Sequence, residues 1–188
     1  MPEKTDEEIA KQAQLGDAES FGILIERYEP KITRYAKKFI FSGEDAKDLV
    51  QEAFIKAYTN IQSFDAGRSF SSWMYRIAHN EFINAIKKKS RMPSFLFDFD
   101  AVFPQPVSEE TADSETNKKE LREMLDNCLE KLDPKYREPL VLYYFEDMDY
   151  KEIADILEVP VSTVGVRLQR GKANLKKIVK KFSEKNGK

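Results

Sequence analysis

Residues 150–177 read YKEIADILEVPVSTVGVRLQRGKANLKK, and this stretch decides the architecture of the carboxy-terminal half. Tyr150 to Leu157 makes a short helix with Ile153, Ala154 and Leu157 turned inward, Ala154 being small enough to let a second helix cross closely. Glu158-Val159-Pro160 ends it, with Val159 as the apolar residue of the turn, and a basic helix begins near Val161 or Ser162. Ser162 is expected to cap that helix by accepting a hydrogen bond from one of its orphan amides. Val164 and Leu168, four apart, anchor it inward. This is the pattern of a helix-turn-helix unit. The second helix then offers Thr163, Val166, Arg167, Gln169 and Arg170 outward. Arg can bond guanine bidentately, Gln can bond adenine, and Val can touch a thymine methyl in a major groove. Lys172, Lys176 and Lys177 suit phosphates. An ordinary helical hairpin with a solvated basic face would share part of the pattern, but cap, small residue, turn and basic helix together favour duplex DNA.

Upstream, Leu121, Met124, Leu125, Cys128, Leu129 and Leu132 form a helical stripe from Lys118 onward, Asp133-Pro134 stops it, and a further helix covers Tyr136 to Tyr144. Residues 93–117 contain three prolines, no basic residue and no helical period, so they read as a flexible linker at a domain boundary. Phe95, Leu96, Phe97, Phe99, Val102 and Phe103 make its first half too aromatic for a free spacer, and that half is expected to dock on something.

The amino-terminal half is also helical. Phe21, Leu24, Ile25, Tyr28, Ile32, Tyr35, Ala36 and Phe39 recur at spacings of three and four, and Pro30 is expected to kink or break their helix, which Gly43 ends. A second stripe, Ala46, Leu49, Val50, Ala53, Phe54, Ala57, Tyr58 and Ile61, predicts a helix from about Glu44 to Ile61. After the turn-like SFDAGRS, Phe70, Trp73, Met74, Ile77, Ala78, Phe82, Ala85 and Ile86 predict a third, over about Phe70 to Lys89. The fold class is therefore all-α, two helical domains joined by a linker.

Composition narrows the function. No apolar run approaches the roughly 20 residues of a membrane span, and the start, MPEKTDEEIAKQAQ, is polar and acidic, unlike a secretory leader. A cytoplasmic protein without membrane insertion is expected. One cysteine, Cys128, and one histidine, His79, leave too few soft ligands for zinc, and no metal or other cofactor is expected. An enzyme would have to recruit Asp45, Asp48 and Glu52 as metal ligands for phosphoryl transfer, but there is no phosphate-cradling glycine loop and nothing supplies a nucleophile or base. Catalysis is not expected.

The net charge of −2 conceals a division along the chain. Residues 161–188 hold nine Lys or Arg against one acid, and residues 68–91 hold six against one. Between them, residues 93–133 hold eleven acids against four bases. Each basic run is suited to a polyanion, while the acidic middle repels it or shields the patches in the free protein. Solvated helix faces are the plainer account of any one run.

Specific stretches carry a resemblance. LDPKYREPLVLYYFEDMDYKEIADILEVPVSTVGVRLQRGKANL resembles the carboxy-terminal domain of small bacterial sigma factors of the extracytoplasmic-function (ECF) type, which reads the minus-thirty-five promoter element. GDAESFGILIERYEPKI, DAKDLVQEAFIKAYTNIQSFD and FSSWMYRIAHNEFINAIKKKSR are similar, in that order, to the other domain of the same family. The resemblance implies sigma region 2 over residues 1–92, for core polymerase binding and minus-ten recognition and melting. It implies a linker over 93–117 that runs into the polymerase channel, and sigma region 4 over 118–188. It further implies core RNA polymerase, promoter DNA and an anti-sigma factor as partners.

By the same resemblance Asp45, Asp48, Gln51 and Glu52 face a coiled coil of the largest polymerase subunit. The residues alone favour a solvated acidic face, with Glu52 pairing to Lys56. Phe64, Asp65, Ser69 and Phe70 match the loop that traps an unstacked minus-ten base, and Trp73, Tyr75, Arg76, Asn80 and Asn84 match the melting helix, with Lys56 and Lys87 beside the DNA path. Stacking on an aromatic face contributes roughly 1–3 kcal/mol per base. Tyr75, His79 and Asn80 fall outside the apolar stripe and are expected to stand free, His79 as a plain surface residue, whereas Trp73 lies on the stripe and suits a core role equally. Ser162, Thr163, Val166, Arg167, Gln169, Arg170 and Lys172 match the minus-thirty-five reader. Gly165 and Val166 stand where the family often has a basic residue and a Ser or Thr, and Asn84 where an acid is common. The competing reading is a stand-alone helix-turn-helix regulator whose first half senses a signal or dimerises; an exposed constellation of Phe64, Tyr75 and Asn80 is expected to discriminate, since a sensor has no need of a base-stacking surface.

Overall fold

In the computed structural model, residues 4–40, 43–90 and 114–186 are described, and all regular elements among them are helical. Helix α1 (Asp6–Gln14) is opened by a capping box, in which Thr5 and Glu8 satisfy each other's backbone amides. It was not expected from periodicity, being short and polar, yet Ile9, Ala10 and Ala13 bury one narrow face. Gly16, at φ +98°, turns the chain into α2 (Ala18–Ile40).

Helix α2 runs through Pro30 without a break, contrary to one of the two outcomes expected for that residue. Proline removes a single hydrogen bond on a solvated face, where water can serve the freed carbonyl. Tyr28, Ile32, Tyr35, Ala36 and Phe39 all need the same inward face on both sides of it. Helix α3 (Gly43–Thr59) starts at Gly43 itself and ends two residues earlier than its stripe predicts, because Ile61–Ser63 tighten into a 3-10 turn. Helix α4 (Phe70–Ser90) follows the exposed loop.

Helix α5 (Ser114–Glu130) begins inside the stretch expected to be linker, and residues 93–113 with their aromatic cluster lie outside the described residues. Helix α6 (Pro134–Phe145) is N-capped by Asp133, with Pro134 at its first position. Helix α7 (Tyr150–Leu157) has the predicted bounds, opened by an Asp149–Glu152 capping box and closed by Glu158 in the left-handed region. Helix α8 (Val161–Asn186) starts one residue before Ser162. Ser162 therefore lies in its first turn and is not its cap; the Pro160 carbonyl accepts from Thr163 and Val164.

The two halves pack on each other. Six consecutive residues of α6, Arg137 to Leu142, are buried, which requires neighbours on every side. α8 takes one side and α2 the other, while α7 lies along α4. A single apolar cluster runs from Ile9 in α1 to Leu168 in α8.

Candidate nucleic-acid and polymerase interfaces

The acidic face of α3 presents Asp48, Gln51 and Glu52 to solvent, while the Asp45 side chain lies outside the described ones. Lys56 does not pair with Glu52. Its Nζ lies 2.6 Å from Glu81 on α4, a carboxylate buried enough to hold it across the two helices.

The loop after the 3-10 turn and the first turns of α4 line a cleft of about 740 Å³ with Phe64, Asp65, Arg68, Ser69, Trp73 and Arg76. Lys56, Asn80, Trp73 and Arg76 share a second hollow beside it, so the two make one trough along α4. Phe64 and Tyr75 do not stand exposed, as expected of them; they are 5% and 2% accessible. Phe64, Phe70 and Trp73 lie against one another at centroid distances of 5.3–5.6 Å, and Tyr28 closes on Phe70 at 5.3 Å. Their faces are used on each other, making an aromatic floor rather than a free stacking plate. Asp65, Ser69, Asn80, Asn84 and Lys87 are exposed around it.

Residues outside the expected set hold this loop. Gln14 of α1 donates from Nε2 to the carbonyls of Ile61 (2.9 Å) and Phe64 (2.8 Å), and Gln62 donates back to the Gln14 carbonyl at 2.7 Å. The Glu7 carboxylate accepts from the Phe70 amide at 3.0 Å, at the positive end of α4. The Thr5-x-x-Glu8 box marks α1 in the sequence, but nothing there shows where its side chains reach.

A second polar cluster joins the halves and explains the burial of Tyr75. Its hydroxyl donates to Glu146 at 2.6 Å, and the same carboxylate takes two bonds from Arg34, at 2.9 and 2.6 Å. Glu138 accepts from Tyr35 and meets His79 Nδ1, so His79 is a partly buried interdomain contact and not the plain surface residue expected. Lys38 pairs with Asp126 of α5 and lies over the Phe145 ring at 5.0 Å. Burial, then the bond to Glu146, raises the Tyr75 phenol far above its usual range. Burial, then the Glu138 charge, does the same for Tyr35. Both hydroxyls therefore remain donors to carboxylates. Burial also pushes the Arg137 guanidinium down to about 10, where it lies over Phe39 at 5.0 Å.

On α8, Val164 and Leu168 are buried, while Ser162, Val166, Gln169, Arg170 and Lys172 are exposed and Thr163 and Arg167 half-buried. This face of α8 is thus open to solvent. Tyr143, Tyr144 and Tyr150 cluster edge to face beside it, and Lys172 lies 5.7 Å from the Tyr144 ring. Among the described residues no group of His, Cys, Asp and Glu could hold a metal, and no helix is long and apolar enough to cross a membrane.

An all-helical chain with an aromatic-floored trough along α4 and an exposed basic helix closing a helix-turn-helix has the layout of a promoter-recognition factor. Residues 24–92 match Sigma-70 region 2, and residues 122–175 match Sigma-70, region 4. Over 175 residues the chain is 35% identical to the ECF RNA polymerase sigma factor SigW of Bacillus subtilis, covering 89% of this chain and 92% of the relative. It is 33% identical to the ECF RNA polymerase sigma-E factor of Escherichia coli, covering 89% and 91%. Among solved structures, CnrH in complex with the cytosolic domain of CnrY is similar at a TM-score of 0.71 and 26% identity, covering 93% of this chain and 97% of that one. RpoE of Bartonella quintana, solved with the anti-sigma factor NepR, shares the fold at a TM-score of 0.66 and 24% identity, covering 87% and 98%. The chain belongs to the ECF sigma factors, and its function is to direct transcription initiation.

Proposed function

We propose that the amino-terminal half, residues 1–92, binds core RNA polymerase and opens the minus-ten element. The carboxy-terminal half, residues 118–188, docks on duplex DNA at minus thirty-five, and the intervening segment threads between them. Asp48, Gln51 and Glu52, with Asp45, form the polymerase-facing side of α3, where clustered carboxylates and an amide suit a basic partner. The trough on α4 receives the unstacked strand. Phe64, Phe70 and Trp73 are its floor, Asp65, Ser69 and Asn80 supply hydrogen bonds to base edges, and Lys56, Arg76, Asn84 and Lys87 lie along the backbone path. Ser162, Thr163, Val166, Arg167, Gln169, Arg170 and Lys172 meet the duplex. The chain catalyses nothing itself and acts in the cytoplasm, where polymerase and promoters are.

The observation that carries this reading is the pairing, in one chain, of a loop-and-helix trough over an aromatic floor with an open basic recognition helix. A stand-alone regulator would have no use for the trough. In the arrangement described here α7 contributes Lys151, Glu152 and Asp155 to one wall of the cleft. The free protein is thus guarded against strand by Glu152 and Asp155 of its own α7, and polymerase binding separates the halves. Part of the shield then belongs to α7, outside the residues 93–133 to which the charge pattern points. An anti-sigma protein that holds the chain inactive completes the reading, supported by the similarity to CnrH, which was solved with a bound partner domain.

Run-off transcription with purified core polymerase on fragments of the source genome tests it. New start sites that depend on this chain are the expected result; a core enzyme that neither retains the chain nor initiates anywhere new would overturn the proposal.

A further inference from the structure

Helix α1 lies outside the residues matched to Sigma-70 region 2, which begin at Leu24, yet it holds both ends of the loop at the trough. The helix is itself firmly mounted. At its start Asp6 accepts from Arg27 and from the Tyr28 hydroxyl, each at 2.6 Å. Near its end Gln12 accepts from Ser20 at 3.2 Å and from Lys4 at 3.0 Å. From this mount Gln14 reaches the carbonyls of Ile61 and Phe64, and Glu7 reaches the Phe70 amide, so the chain is suspended at Phe64 and at Phe70. Between those points Asp65, Gly67, Arg68 and Ser69 are exposed and carry no bond to α1 among those described. The Asp65 carboxylate instead closes the turn by accepting from the Gly67 amide at 2.9 Å.

A loop that must trap a flipped base gains from being shaped beforehand, because ordering it at the moment of capture would subtract from the free energy of binding. We infer that Gln14 and Glu7 are positioning residues for minus-ten base capture, fixing the rim of the trough from a helix that touches no base. The inference rests on the reading above that the loop from Phe64 to Phe70 receives the base. Gln14 acts through an amide donor, so neither alanine nor glutamate replaces it. Glu7 acts as an acceptor at a helix start, so glutamine replaces it in part.

The test uses the full chain bound to core polymerase and a fluorescent single-stranded oligonucleotide spanning the non-template minus-ten element. Each variant's affinity is taken with the captured base present and with an abasic site in its place, and the ratio of the two is the readout. Loss of every contact to one captured base would lower that ratio by about fivefold to 140-fold. Q14A and E7A, which loosen the rim without removing the floor, are expected to lower it roughly threefold to tenfold, E7Q less than E7A, with core association unchanged. Overall weakening of the fold would reduce both affinities together and leave the ratio where it was, which would overturn the inference. D65A and N80A, in the trough itself, separate the two readings. A ratio lowered by them but untouched by Q14A and E7A sinks the positioning role and leaves the trough intact. A ratio unmoved by all four sinks both.

Discussion

Gly165 and Gly171 stand on the same helix and meet opposite surroundings. A Cβ at Gly171 would lie 3.0 Å from Leu140 Cδ1 and 3.1 Å from the Tyr136 carbonyl oxygen, so α6 and α8 approach each other only because that atom is missing. A Cβ at Gly165 would find its nearest neighbour at 3.6 Å, on the Tyr150 ring, an ordinary contact. Replacing Gly171 by alanine is expected to cost about 1–3 kcal/mol through overpacking. The same change at Gly165 should stabilise by up to about 0.8–1 kcal/mol through helix propensity. Urea titration followed by circular dichroism decides both; equal effects of the two substitutions would refute the assignment of Gly171 as the crossing point. Both glycines are plain in the sequence. Which of them is crowded depends on Leu140 and Tyr136, some thirty residues away, and no local pattern encodes that.

Helices whose ends carry their own chemistry were legible at the level of the element. Helix α7 has its predicted bounds because Asp149 and Glu152 cap one end and Val159-Pro160 prevent continuation at the other. Helix α1 does not emerge from periodicity because three buried residues make a weak stripe, and only its capping box marks it in the sequence. Pro30 misled in the opposite direction, since burial of the α2 stripe outweighs one missing bond. Asp133 offers a test of capping itself. Burial would raise its carboxyl, but the Lys135 amide and ammonium outweigh that and hold it below the usual value of 3.8. A carboxylate depressed in the folded state contributes stability above its unfolded pKa and loses it as pH falls through the folded one. D133A should cost about 1 kcal/mol at neutral pH, and its deficit should shrink as pH falls below about 4, the unfolded carboxylate's range. Denaturant midpoints measured across that range check it, and a deficit that stays constant down to pH 2 would contradict the assignment.

Across the whole molecule, the junction of the halves is built from polar residues that separately look like surface. Glu138 and Glu146 bring two carboxylates to α2 and α4, where Tyr35, His79, Tyr75 and Arg34 receive them. Hydrogen bonds to charged groups contribute about 1.5–3 kcal/mol each when both partners are present, so removing the carboxylates should shift the protein toward the open form. The E138A/E146A double variant, free of polymerase, is expected to bind the single-stranded minus-ten oligonucleotide about tenfold more tightly than the parent, because apparent affinity follows the fraction in the competent state. Fluorescence anisotropy measures this. An unchanged affinity in a folded double variant would mean that the junction does not limit access to the trough.

The order of the helices from α2 onward, the helix-turn-helix unit and the sigma-factor resemblance could all be read from residues alone. Each rests on spacings of a few positions or on motifs contiguous in the chain. The burial of Tyr75, the partner of His79, the aromatic floor and the reach of Gln14 were settled only when segments up to about seventy residues apart came together. Periodicity reports which face of a helix is apolar. Which polar side chains on the remaining faces are covered depends on the neighbouring elements, and their placement is a property of the assembled fold.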